Sequence, residues 1–598
     1  MHEKIIPPEH RIPSRTYRVK IKETLRERLA EEENFYVLEL DDFEKVEYRP
    51  YDTTEEKKED LPKIRFVLDK VYLQKIVDDS SKLLCSIYVD YGYLKTNRVK
   101  ELVEINKKKP FLSEPKGWCM IRLFNSDYCE IAEIPMKHSS EFRFHPVTGA
   151  PQLFLGLIEN LEERKEYHYR IECYDEEDKL IGASIINKFV GGVQKTNKPI
   201  FYVTASDLHG GAKAGFKRGK VWWFKAKNNP RLLSLMENIN FKELEYTFGY
   251  GYQFFSTSGD NIDNGSYHEY WADFFSCGNV NFTRMPLLPT IGNHDYYNGG
   301  WGRASWFGGK KRTQKHFHMF VQTPREKGGA FYSHVEGNVL LIHLDSVGLK
   351  WGNESITCES RQWIWLNEEL RKWRKKLIDT GKGPEFCIIH LHSAIFTIGF
   401  FGRARNNSDA IAQSCLTPIL DHYGIAAAIF GHDHMYQRSK RNNTSYMCIG
   451  VSGKTPIKYF KFLRNKVDYT ILDDEEGERA RGYGVTYIPP NLKEMKIPER
   501  KEFEEWLMKI KETIINSDLL KYFAFKEGKD SPEYRKVMTN KEAKAEFVQE
   551  EIIEKMKTSI WWRYYNLKGE LIDHFFIDSI EMKDGLTAPI ACPGPHIR

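Results

Sequence analysis

The sequence predicts an α/β domain that follows an all-β region. Two observations support this fold class. As far as residue 198, short runs of alternating apolar and polar residues recur between polar or Gly/Pro turns, and no long helical period separates them. From residue 199 to about residue 453, apolar strand-like runs alternate with helical stretches, which is typical of α/β domains.

The strands predicted for the first region are short and regularly spaced. Several strands of this kind predict an antiparallel sandwich. A sandwich implies no activity by itself, so we expect a structural module here. The strand candidates lie within residues 64–94, 118–124, 153–157, 167–173 and 180–186.

Helical periodicity dominates the rest of the chain. Helices are predicted at 232–236, 268–275 and 360–376 within the α/β region. Two further amphipathic helices are predicted at 503–514 and 540–556, the second after a capping-box pattern at Thr539 to Glu542. Residues 564–577 predict a β-hairpin that turns at Lys568-Gly569.

Composition excludes several classes of protein. The 598 residues include 89 Lys plus Arg and 84 Asp plus Glu, and the net charge of +5 argues against a dedicated nucleic-acid coat or a polybasic membrane binder. No run approaches the 18 or so apolar residues of a membrane span, and the start lacks the apolar core of a secretion signal. The ten cysteines form no CxxC pair. We therefore expect reduced thiols, a cytoplasmic location and no membrane partner.

Five short segments concentrate aspartate, asparagine and histidine. Four of them directly follow apolar strand-like runs, so their polar side chains lie at strand ends, where α/β sheets place ligand sites. Carboxylates with neutral imidazoles suit Zn, Fe, Mn, Ni or Co, and two such ions about 3.5–4 Å apart can orient and activate a phosphoryl group. In order, the segments are Asp207-Leu-His209, Gly259-Asp260-Asn-Ile-Asp263, Gly292-Asn293-His294-Asp295, His390-Leu-His392-Ser393 and Gly431-His432-Asp433-His434.

A sixth segment, Gly450-Val-Ser-Gly453-Lys454-Thr455, invites comparison with a phosphate-binding loop. That loop requires four residues between its two glycines, and this segment has two. We therefore expect no nucleotide-phosphate loop at this position.

The order Asp-x-His, Gly-Asp-x-x-Asp, Gly-Asn-His-Asp, His, Gly-His-x-His resembles the calcineurin-like metallophosphoesterases, and within them the purple acid phosphatase-like proteins. Segments 332–346, 362–370 and 431–439 add to the likeness. The resemblance implies a four-layer αββα sandwich preceded by a fibronectin-like β-sandwich and closed by a C-terminal strand pair. It covers roughly residues 110–460 and the last strands.

Pattern and resemblance together divide the chain into five segments. The first segment and the helical insertion have no counterpart in the resemblance, and we expect them to pack on the core, cover the cleft or mediate oligomers. The segments are 1–105, an N-terminal β-rich extension of unknown role; 106–198, the fibronectin-like β-sandwich; 199–488, the metallophosphoesterase catalytic domain; 489–557, an α-helical insertion; and 558–598, closing strands and tail.

The resemblance also implies a ligand set for two divalent metal ions. Asp207, His209 and His434 would hold one ion, with Asp260 bridging to the other. The second ion would take Asn293, His432 and one histidine of the His390/His392 pair. The motif alignment favours His392 and leaves His390 as the alternative.

The catalytic residues follow from the same resemblance. His294 would act as general acid with Asp295 orienting its ring, while a metal-bound hydroxide attacks phosphorus. By their positions in loops that follow the ligand segments, and not by the resemblance, Arg403, Arg405 and Tyr296 are candidate substrate contacts, with solvated loop charges and local packing as the favoured alternative.

Two positions depart from true purple acid phosphatases. His209 replaces a glycine of that pattern, and Asp263 replaces the tyrosine that ligates ferric iron and gives the colour. We expect no tyrosinate ligand, and we prefer a turn or supporting role for Asp263 over direct ligation. The metal pair is left open between manganese, iron and zinc.

The predicted function is therefore that of a metal-dependent phosphoric ester hydrolase, a phosphatase or phosphodiesterase, acting on a phosphorylated small molecule. One alternative is a phosphodiesterase or nuclease acting on nucleotides or nucleic acid, and the low net charge weighs against nucleic acid. The other is a non-catalytic interaction protein on the same fold, against which the presence of Asp260 and His294 argues.

Overall fold

The computed structural model describes most of the chain between residues 66 and 579. The strands and helices are numbered in chain order within those residues. The described ranges are 66–67, 70–77, 79–89, 117–138, 152–174, 177–211, 230–265, 268–296, 315–321, 330–346, 356, 358, 360–397, 415–454, 468–471, 481–517, 519–523 and 532–579.

The strands are β1 (Phe66–Val67), β2 (Val71–Ile76), β3 (Asp79–Val89), β4 (Trp118–Phe124), β5 (Glu130–His138), β6 (Gln152–Ile158), β7 (Glu166–Tyr174), β8 (Leu180–Ala183), β9 (Asn187–Val190), β10 (Ile200–Ala205), β11 (Phe254–Ser258), β12 (Leu287–Thr290), β13 (Tyr332–Glu336), β14 (Val339–His343), β15 (Phe386–His390), β16 (Ala427–Phe430), β17 (Tyr436–Arg441), β18 (Thr444–Ile449), β19 (Asp468–Ile471), β20 (Gly482–Ile488), β21 (Ser559–Asn566) and β22 (Leu571–Asp578).

The helices are α1 (Pro230–Phe241), α2 (Glu243–Thr247), α3 (His268–Phe282), α4 (Lys315–Phe320), α5 (Arg361–Thr380), α6 (Thr417–Tyr423), α7 (Ile497–Asn516), α8 (Leu519–Phe523), α9 (Pro532–Thr539), α10 (Lys541–Val548) and α11 (Glu554–Met556), with a π-helical turn at Gln549–Ile553 between the last two.

Two stacked sheets with helices on their outer faces form the α/β part, as the fold class predicts. The large sheet has the order β1-β8-β7-β4-β5-β6-β3-β2-β12-β11-β10-β20-β21-β22, with β9 beside β7, and the small sheet has the order β13-β14-β15-β16-β18-β17-β19. An apolar core that includes Tyr202, Leu341 and Ile429 joins the two sheets. Helices cover each outer face, α1 and α3 on the large sheet and α5 and α6 on the small sheet. The predicted αββα layering is confirmed.

Parallel strands at the centre of each sheet aim their carboxyl ends at one edge. In the large sheet, β10, β11 and β12 run parallel, and in the small sheet β14, β15, β16 and β18 do so. Every residue of β10, β11 and β15 is buried. Strands covered on both faces read as continuous apolar runs, which is why these segments stood out in the sequence.

The β-sandwich begins earlier in the chain than expected. Strand β3 pairs antiparallel with β6, with Cys85 opposite Gly156, although β3 lies before residue 105 and β6 after it. One core contains Leu73 and Ile87 together with Ile121 and Tyr169. The expected boundary between residues 105 and 106 therefore does not separate two packed units. The interpretation failed because strand pairing across about 70 residues leaves no local mark on the sequence.

The helical insertion lies between two adjacent strands of the large sheet, β20 and β21, which pair antiparallel. Helix α7 buries Phe503, Leu507, Ile510 and Ile514, four members of its predicted apolar face. The next predicted helix starts one residue later than expected, because the side chain of Asn540 accepts hydrogen bonds from the backbone N–H groups of Glu542 and Ala543. The insertion and the closing β21–β22 hairpin are as predicted.

Cysteine usage agrees with the sequence at eight positions. Cys85, Cys119, Cys129, Cys173, Cys277, Cys387, Cys415 and Cys448 are free thiols. Cys358 is disulfide-bonded, which the dispersed spacing did not predict.

Among the helices described, none combines the length and apolar character needed to cross a bilayer.

A buried ion pair joins the sandwich strand β2 to the small-sheet strand β13. The Lys75 ammonium lies 2.9 and 2.8 Å from the two carboxylate oxygens of Glu336. The same carboxylate accepts from the backbone N–H of Val193 at 2.6 Å and contacts Nε2 of His334 at 3.0 Å. Burial alone would raise the pKa of Glu336, but Lys75 and His334 lower it to about 2. The carboxylate is therefore ionised and fixes one sheet against the other.

Removing the Glu336 carboxylate should destabilise the whole fold. Glu336→Ala leaves the Lys75 ammonium buried without its partner, and we expect a loss of roughly 3–5 kcal/mol in unfolding free energy. Urea unfolding would measure it. Glu159→Ala, which breaks the exposed Lys82–Glu159 pair, should leave the unfolding midpoint unchanged. Equal effects of the two variants would contradict an anchoring role for Glu336.

Candidate metal centre

The loops that follow β10, β11, β12, β15 and β16 carry the five polar segments to one place. The large sheet contributes the first three segments and the small sheet contributes the last two. Backbone hydrogen bonds continue beyond β10 and β11: the N–H of Asp207 donates to Gly259 O at 3.0 Å, and the N–H of His209 donates to Asp260 O at 3.0 Å. These bonds hold the first two acidic loops side by side.

Asp207 lies at the centre of the first cluster. Its Oδ1 atom is 3.3 Å from Nε2 of His434 and 3.7 Å from Nε2 of His209. Within the described part of the chain, this buried Oδ1 has no hydrogen-bond partner. Oδ2 is fully engaged, since it accepts from the Ser206 hydroxyl at 2.8 Å and from the backbone N–H of His432 at 2.9 Å. One carboxylate oxygen thus anchors the loop and the other faces two imidazoles.

Asp260 faces two groups of ligands. Its Oδ1 lies 3.2 Å from Nε2 of His392, and that nitrogen is 2.9 Å from Oδ1 of Asn293. Its Oδ2 lies 3.6 Å from Nε2 of His209 and 3.9 Å from Nε2 of His294. A single carboxylate therefore stands between the two sets of nitrogen and oxygen atoms.

These separations suit shared metal ions. Nitrogen and oxygen ligands lie about 2.0–2.2 Å from Zn²⁺, so two ligands of one ion are roughly 3–3.5 Å apart. The ring of His432 lies beside that of His392, with centroids 5.1 Å apart. Among the residues that the structure describes, three groups have ligand atoms that all lie within 4.8 Å of one another: Asp207, His209 and His434; His209, Asp260 and His294; and Asp207, Asp260 and His392.

The geometry distinguishes the two histidines of the fourth segment. His392 faces Asp260, and its Nδ1 is 3.0 Å from the carbonyl oxygen of Ser258. His390 points elsewhere: its Nδ1 lies 3.2 Å from the Ser258 hydroxyl, and its ring stacks on His343 at 4.9 Å between centroids. The structure therefore places His392, and not His390, at the carboxylates.

The electrostatics keep the carboxylates charged. Burial alone would raise the pKa of Asp207, but His209 and His434 hold it well below its ordinary value. The pKa of Asp260 is likewise lowered, against burial, by His392 and His294. In turn Asp260 overcomes the burial of His392 and raises its pKa to about 9. The site therefore has a strong preference for positive charge at its centre.

The backbone of the site is strained in a way that aims the side chains. Asp207, His209, Asp260 and His432 have φ angles of 52°, 48°, 51° and 69°. A left-handed conformation costs an ordinary residue about 1–2 kcal/mol, and such residues cluster where function requires them. Close approach adds a further constraint, since a Cβ atom on Gly292 would lie 2.1 Å from the backbone nitrogen of Asp260.

Comparison with known proteins agrees with this geometry. Residues 203–436 match the family model described as calcineurin-like phosphoesterase. We refer to residues 203–436 as the phosphoesterase domain after this match. It spans β10 to the start of β17 and contains all five polar segments.

One solved structure extends the likeness of fold beyond the phosphoesterase domain. The purple acid phosphatase PPD1 from yellow lupin (Lupinus luteus) seeds is 12% identical, with a TM-score of 0.56 over 86% of this chain and 74% of that chain. The Plasmodium protein GAP50 is 12% identical, with a TM-score of 0.34 over 64% and 90% of the two chains. A putative 5'-nucleotidase from Staphylococcus aureus is 16% identical, with a TM-score of 0.26 over 52% and 59%. No curated protein sequence gives a significant match.

The structure corrects the expected role of Asp295 in the phosphoesterase domain. Its carboxylate accepts hydrogen bonds from the N–H of Gly292 at 2.7 Å, the N–H of Ile262 at 3.2 Å and the Asn261 amide at 3.0 Å. It therefore ties two loops together and does not contact the His294 ring. Nδ1 of His294 lies 2.6 Å from the backbone oxygen of Asp263, which orients the ring instead.

Asp263 supports the site by contacting a histidine, and it does not stand between Asp207 and Asp260. Its Oδ1 lies 3.1 Å from Nδ1 of His209 and so directs the opposite nitrogen, Nε2, toward Asp207 and Asp260. Carboxylates commonly hold metal-binding histidines in this manner. This geometry agrees with the preference for a supporting role over ligation.

The three residues expected to contact the substrate have different outcomes. Tyr296 is buried and its hydroxyl donates to Asp345, which argues against the expected substrate contact. Arg403 and Arg405 lie outside the described residues. Two residues at the site were not predicted from the sequence: Ser206, which holds Asp207, and Lys454, which contacts Asp263. Lys454 belongs to the glycine-containing segment that was rejected as a phosphate loop.

Acid sensitivity should originate partly from His343, which lies between the rings of Tyr332 and His390. Burial, with His390 and His334 nearby, holds the pKa of His343 well below its ordinary value. As pH falls below about 6.5, the unfolded chain binds a proton at this position that the folded chain refuses, so stability is lost. In His343→Gln, the loss of unfolding free energy between pH 7.5 and 5.5 should be smaller by about 1.4 kcal/mol.

Urea unfolding of the metal-free protein at the two pH values provides the measurement. Tyr332→Phe is the matched control, because it removes only the hydroxyl that donates to Pro289 O at 2.9 Å and leaves the ring beside His343. In that variant, the difference in unfolding free energy between pH 7.5 and 5.5 should equal that of the wild type. An unchanged difference in His343→Gln would contradict a neutral buried imidazole.

Proposed function

We propose that the phosphoesterase domain hydrolyses a phosphate ester with the help of two divalent metal ions. The observation that carries this proposal is the position of Asp260, whose two oxygens face His392 on one side and His209 and His294 on the other. The family match supports chemistry on phosphate esters. This combination favours a hydrolase over a non-catalytic binding protein, because a purely structural domain does not need a buried carboxylate that is shared by two ligand sets.

Two ligand sets are proposed. A pair of divalent ions bound by these residues would act as Lewis acids, which would orient a phosphoryl group and lower the pKa of water. The nitrogen and oxygen donors suit manganese, iron or zinc. One set consists of Asp207, His209 and His434, the other of Asn293, His392 and His432, and Asp260 is shared by both.

His294 is proposed to deliver the proton to the leaving oxygen. Its ring is partly open to solvent, with 24% of the side chain exposed, whereas His209 and His392 are fully buried. The Asp263 carbonyl engages Nδ1, so Nε2 is the nitrogen that faces the site. Burial, with His209 nearby, lowers the pKa of His294, although Asp260 opposes this shift. An arriving phosphate anion would favour the protonated, acidic form of the ring.

The function is tested by hydrolysis. Metal-free protein is loaded with Mn²⁺, Zn²⁺ or Fe²⁺ and assayed on phosphomonoesters, phosphodiesters and nucleotides. We expect metal-dependent release of product, and we expect His294→Asn to lower kcat by about 100- to 10,000-fold while the bound metal is retained. If no metal-loaded form cleaved any ester, the hydrolase proposal would be abandoned.

The ligand assignment has its own test in the two histidines of the fourth segment. His392→Ala should lose one of two bound metal ions, because it removes a nitrogen that faces Asp260. His390→Gln should retain both ions, because that ring bonds serine hydroxyls away from the carboxylates. Elemental analysis of the metal-loaded variants measures the stoichiometry. The reverse result would assign the ligand to His390.

A further inference from the structure

Lys454 reaches the proposed metal centre from a loop that no ligand motif includes. Its Nζ lies 2.5 Å from Oδ1 of Asp263. The loop is held against the first acidic segment, since the N–H of Gly453 donates to the carbonyl oxygen of Asp207 at 3.1 Å. There is no space for a larger residue nearby, because a Cβ atom on Gly450 would lie 2.1 Å from Asp433 O.

Asp263, the partner of Lys454, acts on two histidines at once. Its side-chain Oδ1 contacts Nδ1 of His209, and its backbone oxygen contacts Nδ1 of His294. The orientation of a proposed metal ligand and of the proposed general acid therefore depends on one residue. Asp263 is about one-quarter exposed, so packing alone does not fix its carboxylate.

Lys454 supplies the missing restraint. The ammonium and the His209 ring share the same carboxylate oxygen, which fixes the rotamer of Asp263 and its distance from the ring. A cation at this oxygen also disfavours a metal ion there, since two positive charges would compete for one atom. The lysine thus keeps Asp263 as a support for His209 and prevents it from becoming a ligand.

We propose that Lys454 is a positioning residue of the phosphoesterase site, which holds Asp263 so that His209 and His294 point into the metal centre. The inference rests on the proposed function, because it concerns the same site. It differs from a direct contact between Lys454 and the substrate phosphate, which would require the ammonium to leave Asp263.

The experiment uses the full chain in metal-free form. Mn²⁺ affinity is measured by titration calorimetry, and kcat and KM are measured at saturating Mn²⁺ with 4-nitrophenyl phosphate. Lys454→Met should weaken Mn²⁺ binding by about 10- to 100-fold and lower kcat in the same range, the usual effect of losing a residue behind a metal ligand, while KM stays within about twofold. Lys454→Arg should restore most of both. Lys440→Met, a change at an exposed lysine of β17, is the matched control and should behave as wild type.

A double-mutant cycle tests whether Lys454 acts through Asp263. Adding Lys454→Met to Asp263→Asn should weaken Mn²⁺ binding no further than Asp263→Asn alone, because the interaction is already lost. Circular dichroism and the thermal midpoint establish that each variant is folded, and Lys454→Gln, which also removes the positive charge, replaces Lys454→Met if the latter does not fold.

Each other outcome overturns the inference in a recognisable way. A raised KM with unchanged Mn²⁺ affinity would make Lys454 a substrate contact. Wild-type Mn²⁺ affinity and kcat in Lys454→Met would leave the lysine without a role at the site. Additive effects in the cycle would show that Lys454 acts independently of Asp263. If the wild-type chain bound no metal ion, the proposed function itself would fail, which the wild-type titration alone reveals.

Discussion

The carboxylates of Asp207 and Asp260, buried close together, are the constraint on which the rest of the structure depends. A buried ion without partners costs several kcal/mol, so the fold must surround both carboxylates with positive charge and hydrogen-bond donors. It does so with imidazoles at 3.2–3.9 Å and with a serine hydroxyl and backbone N–H groups on the remaining oxygens. The left-handed backbone at both aspartates is the local expense of this arrangement, and the parallel pairing of β10 with β11 holds it in place.

Neither sheet contains the site by itself. The large sheet supplies the aspartates and Asn293, whereas the small sheet supplies His392, His432 and His434. Their meeting therefore depends on the apolar interface between the sheets and on the Lys75–Glu336 pair at its margin. Residues far from the candidate metal centre set distances within it because they set the stacking of the two sheets. The architecture thus links the stability of the fold to the geometry of the candidate site through one shared surface.

The sequence predicted the parts of this structure that are local. Polar residues directly after apolar strand-like runs marked four of the five loops, and helical periodicity marked the insertion between β20 and β21, because both signals depend only on near neighbours. Contacts between distant segments were missed. Asp295 is adjacent to His294 in sequence, yet its carboxylate binds backbone groups of two loops, while a carbonyl oxygen from Asp263 holds the ring. The pairing of β3 with β6 and the contact of Lys454 with Asp263 could not be predicted either, since spacing rules do not describe contacts between distant segments.

The pairing of β2 with β12 makes the phosphoesterase domain dependent on the chain that precedes it. Strand β2 runs parallel to β12 along its outer edge, with Gln74 opposite Leu287, and the Tyr72 ring stacks on Phe275 at 3.7 Å inside the domain's own core. A fragment starting at residue 199 would bare a row of unpaired backbone groups, a surface on which strands of other molecules assemble. The strand that covers the outer edge of β12, β2, thus belongs to the sandwich. The two parts should therefore fold as one unit, because a cut between them would pass through a single sheet.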